Sequence, residues 1–167
     1  MSEARFRVTA LSTAHDRAAF CCGSVQLDRY FQQHVTQDVK RRLTACFVAL
    51  TAEASIAGYY TLAAASILLT DLPLSINKKL PRYPSVPAVR MGRLAVDQNF
   101  KGQGLGGALL ADALIRSAQS EVAAYALLVD ALDEKAAAFY HHHGFIPLPS
   151  SPLTLFLPLA AVAKVQL

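Results

Sequence analysis

Two stretches of the chain carry residue types that could do chemistry. In "DQNFKGQGLGGALL" (97–110), Gly102, Gly104, Gly106 and Gly107 stand directly before an amphipathic run. Glycines there let the backbone approach a ligand, and a helix start leaves N–H groups without intrahelical partners, so the stretch suits a phosphate group. In "EKAAAFYHHHGF" (134–145), Tyr140 precedes three consecutive histidines. A phenol, with an ordinary pKa of about 10, is protonated at neutral pH and can act as a general acid. His141, His142 and His143 diverge by about 100° each on a helix. Helical metal ligands pair at i and i+4, and positions 137 and 145 hold Ala and Phe. The triplet is therefore expected to close a helix, with Gly144 just beyond its last turn, and no metal site is expected. Phe139 points about 100° away from Tyr140 and is expected to pack in the core.

The glycine spacing alone leaves the ligand open. Gly102, Gly104 and Gly107 meet the GxGxxG spacing of a dinucleotide site, but the run lies mid-chain behind a hairpin pattern. No Lys-Ser or Lys-Thr follows, as a Walker loop would need.

The elements that must hold these residues follow from hydrophobic periodicity. A strand is expected at 5–11, a short helix in "HDRAAFCCG" ended by Gly23, and a longer helix after Ser24, with Leu27, Tyr30, Phe31 and Val35 on one face. Runs 43–51 and 55–67 form a hairpin pattern. Residues 70–88 hold Pro73, Pro81, Pro84 and Pro87, which argues against a long regular element. The second half alternates strand 88–97, helix 104–119, strand 124–132 and helix 133–143, a βαβ unit with parallel strands. The tail offers one more short strand and a terminal helical turn.

Length and composition bound the rest. A chain of 167 residues, 53% hydrophobic and 17% charged, is expected to be one ordered domain, residues 1–167. No run of about 18 uncharged apolar residues is present, so no membrane association is expected. Glu3, Arg5, Arg7, His15, Asp16 and Arg17 interrupt any signal-peptide centre, which makes the cytoplasm the expected location. Cys21, Cys22 and Cys46 lack metal-site spacing and are expected to be small buried residues. The net charge of +4 fits a polyanionic partner, and the cations cluster. Lys40, Arg41 and Arg42 form one group, Lys78, Lys79 and Arg82 a second, and Arg90, Arg93 and Lys101 a third.

"RLAVDQNFKGQGLGGALLADAL", followed about 30 residues later by "AAAFYHHHGF", resembles the GNAT superfamily of acetyl-CoA-dependent N-acetyltransferases. The family's pyrophosphate motif, [Q/R]xxGx[G/A], maps onto Lys101, Gly104 and Gly106, with Lys where Gln or Arg is usual. "FCCGSVQLDRYFQQHVTQDVKRR", "IAGYYTLAAASI", "LLVDALDEKAAAFY" and "GFIPLP" extend the resemblance, over nearly the whole chain, to the GNAT toxins of toxin–antitoxin modules, which acetylate aminoacyl-tRNA. The resemblance implies an α/β (α+β) fold: a mixed, mostly antiparallel twisted sheet of about six or seven strands with a parallel βαβ splay, flanked by about four helices. It also implies acetyl-CoA as cosubstrate without a metal, aminoacyl-tRNA as acceptor, a homodimer, and a DNA-binding antitoxin of ribbon-helix-helix type that alone brings operator DNA.

By the same resemblance, the CoA pyrophosphate is expected on the N–H groups of the Lys101, Gly102, Gln103, Gly104, Leu105, Gly106 and Gly107 run. The pantetheine arm is expected along Leu94, Ala95 and Val96, where a backbone N–H polarises the thioester carbonyl. Tyr140 is the expected acid for the departing sulfur. No residue stands out as a base. An α-amine, with an ordinary pKa near 8, is already partly neutral, whereas a lysine at about 10.4 would need one. Basic residues would follow tRNA phosphates. Arg90 and Arg93 are candidates near the acceptor end or for CoA phosphates, and Lys40, Arg41, Arg42, Lys78, Lys79 and Arg82 are candidates farther out. The alternatives are a GNAT enzyme acting on a protein N-terminus or a small amine, and an inactive nucleic-acid-binding module.

Overall fold

Residues 5–166 are described in the computed structural model, with side chains up to residue 162. Seven strands form one open sheet in the order β1-β2-β3-β4-β5-β7-β6: β1 (Arg7–Ala10), β2 (Ala45–Leu50), β3 (Ile56–Leu68), β4 (Ser85–Val96), β5 (Ala126–Asp130), β6 (Ile146–Leu148) and β7 (Ser151–Pro158). β4 and β5 are parallel, from Ala88 opposite Ala126 to Met91 opposite Val129. The β1–β2, β2–β3, β5–β7 and β6–β7 pairs are antiparallel. The helices are α1 (Val25–Arg29), α2 (Val35–Lys40), α3 (Leu74–Asn77), α4 (Leu105–Gln119), α5 (Glu134–His142) and α6 (Leu159–Gln166). The expected mixed sheet and its β4–α4–β5 crossover are therefore present.

The chain divides into two compact units. One comprises the residues up to Ala63 with Gly92–Ala113, and the other Ala64–Met91 with the residues from Leu114 onward. The first is built on an aromatic core. Phe31 stacks on Tyr59 at 4.2 Å, and Phe20 meets both rings edge-on at 5.0 and 5.4 Å. The second centres on Ile67, Leu69, Val86, Ala88, Leu128 and Phe156, all buried.

In the first unit, α4 lies close against β3 because Gly58 has no side chain. A Cβ built there would stand 2.8 Å from Leu109 Cδ1 and 2.9 Å from the Ala95 carbonyl oxygen. Gly58→Ala should therefore lower stability by about 1–3 kcal/mol through overpacking, read as a lower denaturation midpoint. An unchanged midpoint would mean that α4 is free to move away.

Three sequence expectations are corrected and one strand is added. "HDRAAFCCG" forms no helix. Its backbone is bound by side chains instead: Asp16 accepts from Ala18 N–H, the Gln32 amide donates to the Ala18 and Phe20 carbonyls, and Asp97 accepts from Cys21 N–H. The helix after Ser24 is interrupted by a π-helical turn, Tyr30–His34. There Arg17 Nη1 donates to the Phe31 carbonyl at 2.6 Å, an acceptor that a regular helix would use internally. β4 starts at Ser85 inside the proline-rich stretch, with Pro87 ahead of the β5 ladder, where its missing N–H costs no β5 bond. A strand not expected from the sequence, β6, precedes the tail and takes Pro147 because it is an edge strand of the sheet, while the tail itself holds the expected strand, β7, and ends in α6.

Candidate active site

Within the first unit, the end of β4 and the start of α4 form one backbone surface. The pairing of β4 with β5 stops at Met91, yet β4 runs on to Val96, so Gly92–Val96 has no β5 partner along that edge. The buried face also shifts phase, from Val86 and Ala88 to Met91 and Ala95. The pairing from Ala88 to Met91 is continuous, so the buried residues of β4 lie on one face up to Ala88 and on the other from Met91. Leu94 and Val96 are half-buried and Ala95 is buried. An extended chain could pair with this free edge as a further strand would.

α4 follows a turn held by glycine φ angles. Gly102 and Gly104 have φ of +76° and +79°, and a Cβ at either would meet no atom within 4 Å. Glycine is thus required there by the backbone, and the space above the turn is open. The Ala108 N–H bonds the Gly104 carbonyl, which leaves Gly104, Leu105, Gly106 and Gly107 with the orphan N–H groups of a helix start. Leu105 is buried and anchors the turn, while Gln103 is exposed. A free strand edge leading into a positive helix end fits an extended thioester arm followed by phosphates.

Asp97 joins these two pieces. It is 5% exposed, caps the 3-10 turn Gln98–Phe100 by accepting from Asn99 N–H, and accepts from Cys21 N–H at 3.0 Å. The Gln98 N–H bonds the Cys21 carbonyl, and Lys101 Nζ bonds the Cys22 carbonyl at 2.6 Å. Lys101, expected at the phosphates, thus ties the turn to residues 21–22 here. Sequence reasoning missed Asp97, although an Asp directly after a strand and two residues before Asn99 is a turn signal. Burial pushes the Cys22 thiol up to about 11 and the Cys46 thiol up to about 12, so neither is a thiolate nucleophile near neutral pH. Cys21 is exposed, against expectation, because its segment is not helical.

The cations of the first unit differ in their surroundings. The Arg93 guanidinium lies 3.3 Å from the centre of the Tyr30 ring, and Tyr30 donates its hydroxyl to Asp38 at 2.7 Å. The π turn presents that ring. Lys40 and Arg41 are exposed at the end of α2, and Arg42 follows with φ of +61°.

In the second unit, α5 carries Tyr140, 6% exposed. Asp133 caps the helix start by accepting from Ala136 N–H. At the other end Gly144, with φ of +92°, completes a Schellman motif: its N–H bonds the His141 carbonyl and the Phe145 N–H bonds the Tyr140 carbonyl. The histidines do close the helix as expected. Phe139 is only half-buried, its ring 5.3 Å from Tyr140 and 4.8 Å from His143, so Tyr140 is the more deeply packed of the pair. Burial, with a smaller contribution from Asp130, raises the Tyr140 phenol above its ordinary value. Arg90 is ion-paired with Asp130, which also accepts from Thr154. Lys78, Lys79 and Arg82 are exposed around the turn after α3.

Among the described residues no three His, Cys, Asp or Glu side chains stand together as a metal site, and no helix is long and apolar enough to cross a membrane.

The model of the acetyltransferase (GNAT) domain matches residues 43–147. The chain is 35% identical over 162 residues to a probable toxin TacT of Sinorhizobium fredii (strain NBRC 101917 / NGR234), covering 91% of this chain and 90% of that protein. It is also 35% identical over 149 residues to a tRNA-acetylating toxin of Mycobacterium tuberculosis (strain ATCC 25618 / H37Rv), covering 88% of each. Among solved structures, AtaT complexed with acetyl-methionyl-tRNAfMet is similar at 32% identity and a TM-score of 0.87, over 97% of this chain and 99% of that one. An AtaT mutant bound to the C-terminus of the antitoxin AtaR and acetyl-CoA is similar at 27% identity and a TM-score of 0.78, over 96% and 97%.

Proposed function

The chain belongs to the GNAT family of acetyl-CoA-dependent N-acetyltransferases, and on that premise we propose that it is a toxin that acetylates the α-amino group of aminoacyl-tRNA and so blocks translation. The observation that carries this reading is the similarity, over about nine-tenths of both chains, to relatives named as toxins, one of them tRNA-acetylating. An acylated α-amine can no longer attack as a nucleophile, which is why its acetylation stops use of the charged tRNA.

The chemistry is assigned to these residues as follows. Backbone groups of Leu94 and Val96 on the free edge of β4 hold the thioester arm, and a backbone N–H there polarises the carbonyl, while the Ala95 carbonyl faces Gly58 on β3 and takes no part. The orphan N–H groups at the start of α4, with the loop Lys101–Gly104 before them, bind the pyrophosphate. The acceptor nitrogen attacks the carbonyl carbon, the N–C bond forms, the C–S bond breaks, and the nitrogen sheds one proton to solvent. Tyr140 donates a hydrogen bond or proton to the leaving sulfur. Its raised pKa keeps it in the donor form, but makes full transfer to a thiolate, whose ordinary value is near 8.5, uphill. Its main contribution is therefore to stabilise the developing negative charge.

Arg90, Arg93, Lys40, Arg41, Arg42, Lys78, Lys79 and Arg82 are the proposed contacts to tRNA phosphates. Binding of tRNA should weaken steeply with salt, and replacing Lys78 and Lys79 by Gln should flatten the slope of log K against log salt by about 1–2 units. An unchanged slope would remove that pair from the interface. We further propose a single acetyltransferase domain that acts in the cytoplasm as a homodimer, with a ribbon-helix-helix antitoxin as partner and operator DNA reached through it. In cells, expression should stop incorporation of labelled amino acid, and Tyr140→Phe should restore it; full incorporation with the unaltered chain would refute the toxin reading.

A further inference from the structure

The stretch between β3 and β4 holds a feature that phosphate contacts alone do not use. Within the second unit, Leu69, Thr70, Asn77, Lys78, Leu80, Arg82, Tyr83 and Pro84 line a surface cavity of about 630 Å³. Its rim carries Lys78 and Arg82, and no carboxylate lines it. Tyr83 is 63% exposed, an unusual setting for an aromatic ring, and that ring makes no aromatic or cation–π contact with a described residue. Its backbone is held: the Tyr83 N–H bonds the Pro81 carbonyl at 2.8 Å, and the Leu69 N–H bonds the Pro84 carbonyl at 3.1 Å, which closes the loop. The Asn77 amide is engaged with the Leu69 carbonyl at 2.8 Å. Pro73, Pro81 and Pro84 limit the conformations the loop can take.

An exposed aromatic residue that shares a cavity with two cations on a braced loop has the composition of a single-stranded nucleic-acid platform. The aromatic face stacks a base and the cations follow the flanking phosphates. A duplex shields its base faces, so such a ring gains nothing from a fully paired RNA. We propose that this cavity takes an unpaired nucleotide, its base stacked on Tyr83 and its phosphates beside Lys78 and Arg82. The inference deepens the tRNA reading: an aminoacyl ester sits on an unpaired 3′ end, and the cavity would read that unpaired character.

The test uses the full chain and two RNA oligonucleotides of one duplex sequence, one blunt and one with an unpaired 3′ overhang carrying 2-aminopurine. The unaltered chain should bind the overhang more tightly and quench the probe. Tyr83→Ala should weaken overhang binding by about 5- to 150-fold, the range for losing one stacked base, and bring it to the blunt value. Tyr83→Phe keeps the ring and should stay within about twofold of the unaltered chain. Because Tyr83 is exposed, thermal melts of both variants should match the unaltered chain. Equal binding of the two RNAs, wild-type affinity in Tyr83→Ala, or an equal loss in Tyr83→Phe would overturn the proposal. A change in sedimentation of Tyr83→Ala with RNA binding intact would overturn it too, by assigning the ring to a protein contact. Failure of the acetylation reading shows separately, as unmodified aminoacyl-tRNA, and leaves the oligonucleotide result valid.

Discussion

Replacing Tyr140 by Phe should lower kcat by about 10²- to 10³-fold, the range for a lost hydrogen-bond donor to developing negative charge, while the Kd for acetyl-CoA stays unchanged. The substitution removes one oxygen from a side chain already packed against Phe139 and Phe145, so the helix and its Schellman end should persist. Loss of rate with intact binding marks a group that acts at the transition state; an equal loss in binding would mean a structural role. The pH profile gives a second check. An acid works while protonated, and burial raises this phenol above its ordinary value of about 10. No falling limb from Tyr140 should therefore appear below about pH 10. A fall near pH 8 that vanishes in Tyr140→Phe would contradict the burial.

The second large effect is expected at Gly104. Its φ of +79° lies where a β-branched residue is strongly disfavoured, although no atom blocks a Cβ. Gly104→Val should force the turn toward negative φ and rotate the N–H groups of Leu105, Gly106 and Gly107 away from a common point. The Kd for acetyl-CoA should rise tenfold or more by calorimetry, with about 1–2 kcal/mol lost from stability. Gly104→Ala should do the same more weakly. If Gly104→Val binds acetyl-CoA like the unaltered chain, the start of α4 is not the phosphate site.

The parts of the molecule written in local pattern were readable from the sequence. The β4–α4–β5 crossover follows from a change of hydrophobic period across the glycine run, and the end of α5 follows from a glycine after its last turn. The unread parts depend on partners far along the chain. The π turn at Tyr30–His34 is tied to Arg17, and no periodicity within residues 24–42 announces it. The non-helical course of 15–23 depends on Asp97, more than seventy residues later. The free edge of β4 past Met91 arises from where its pairing with β5 ends, so it is a property of two strands together. Arg93 on Tyr30 and Arg90 on Asp130 are pairings across elements that charge clustering along the sequence could not reveal.

These features bear on one claim, that an amine on a charged tRNA meets the thioester held along β4. Incubating the chain with acetyl-CoA and a mixed pool of aminoacyl-tRNAs, then identifying the released amino acids by mass spectrometry, tests it most directly. N-acetylated amino acid is expected from one or a few tRNA species, formed about 100-fold or more slowly with Tyr140→Phe. A pool left unmodified by a chain that binds acetyl-CoA, with acetyl transferred instead to a protein N-terminus or a small amine, would contradict it.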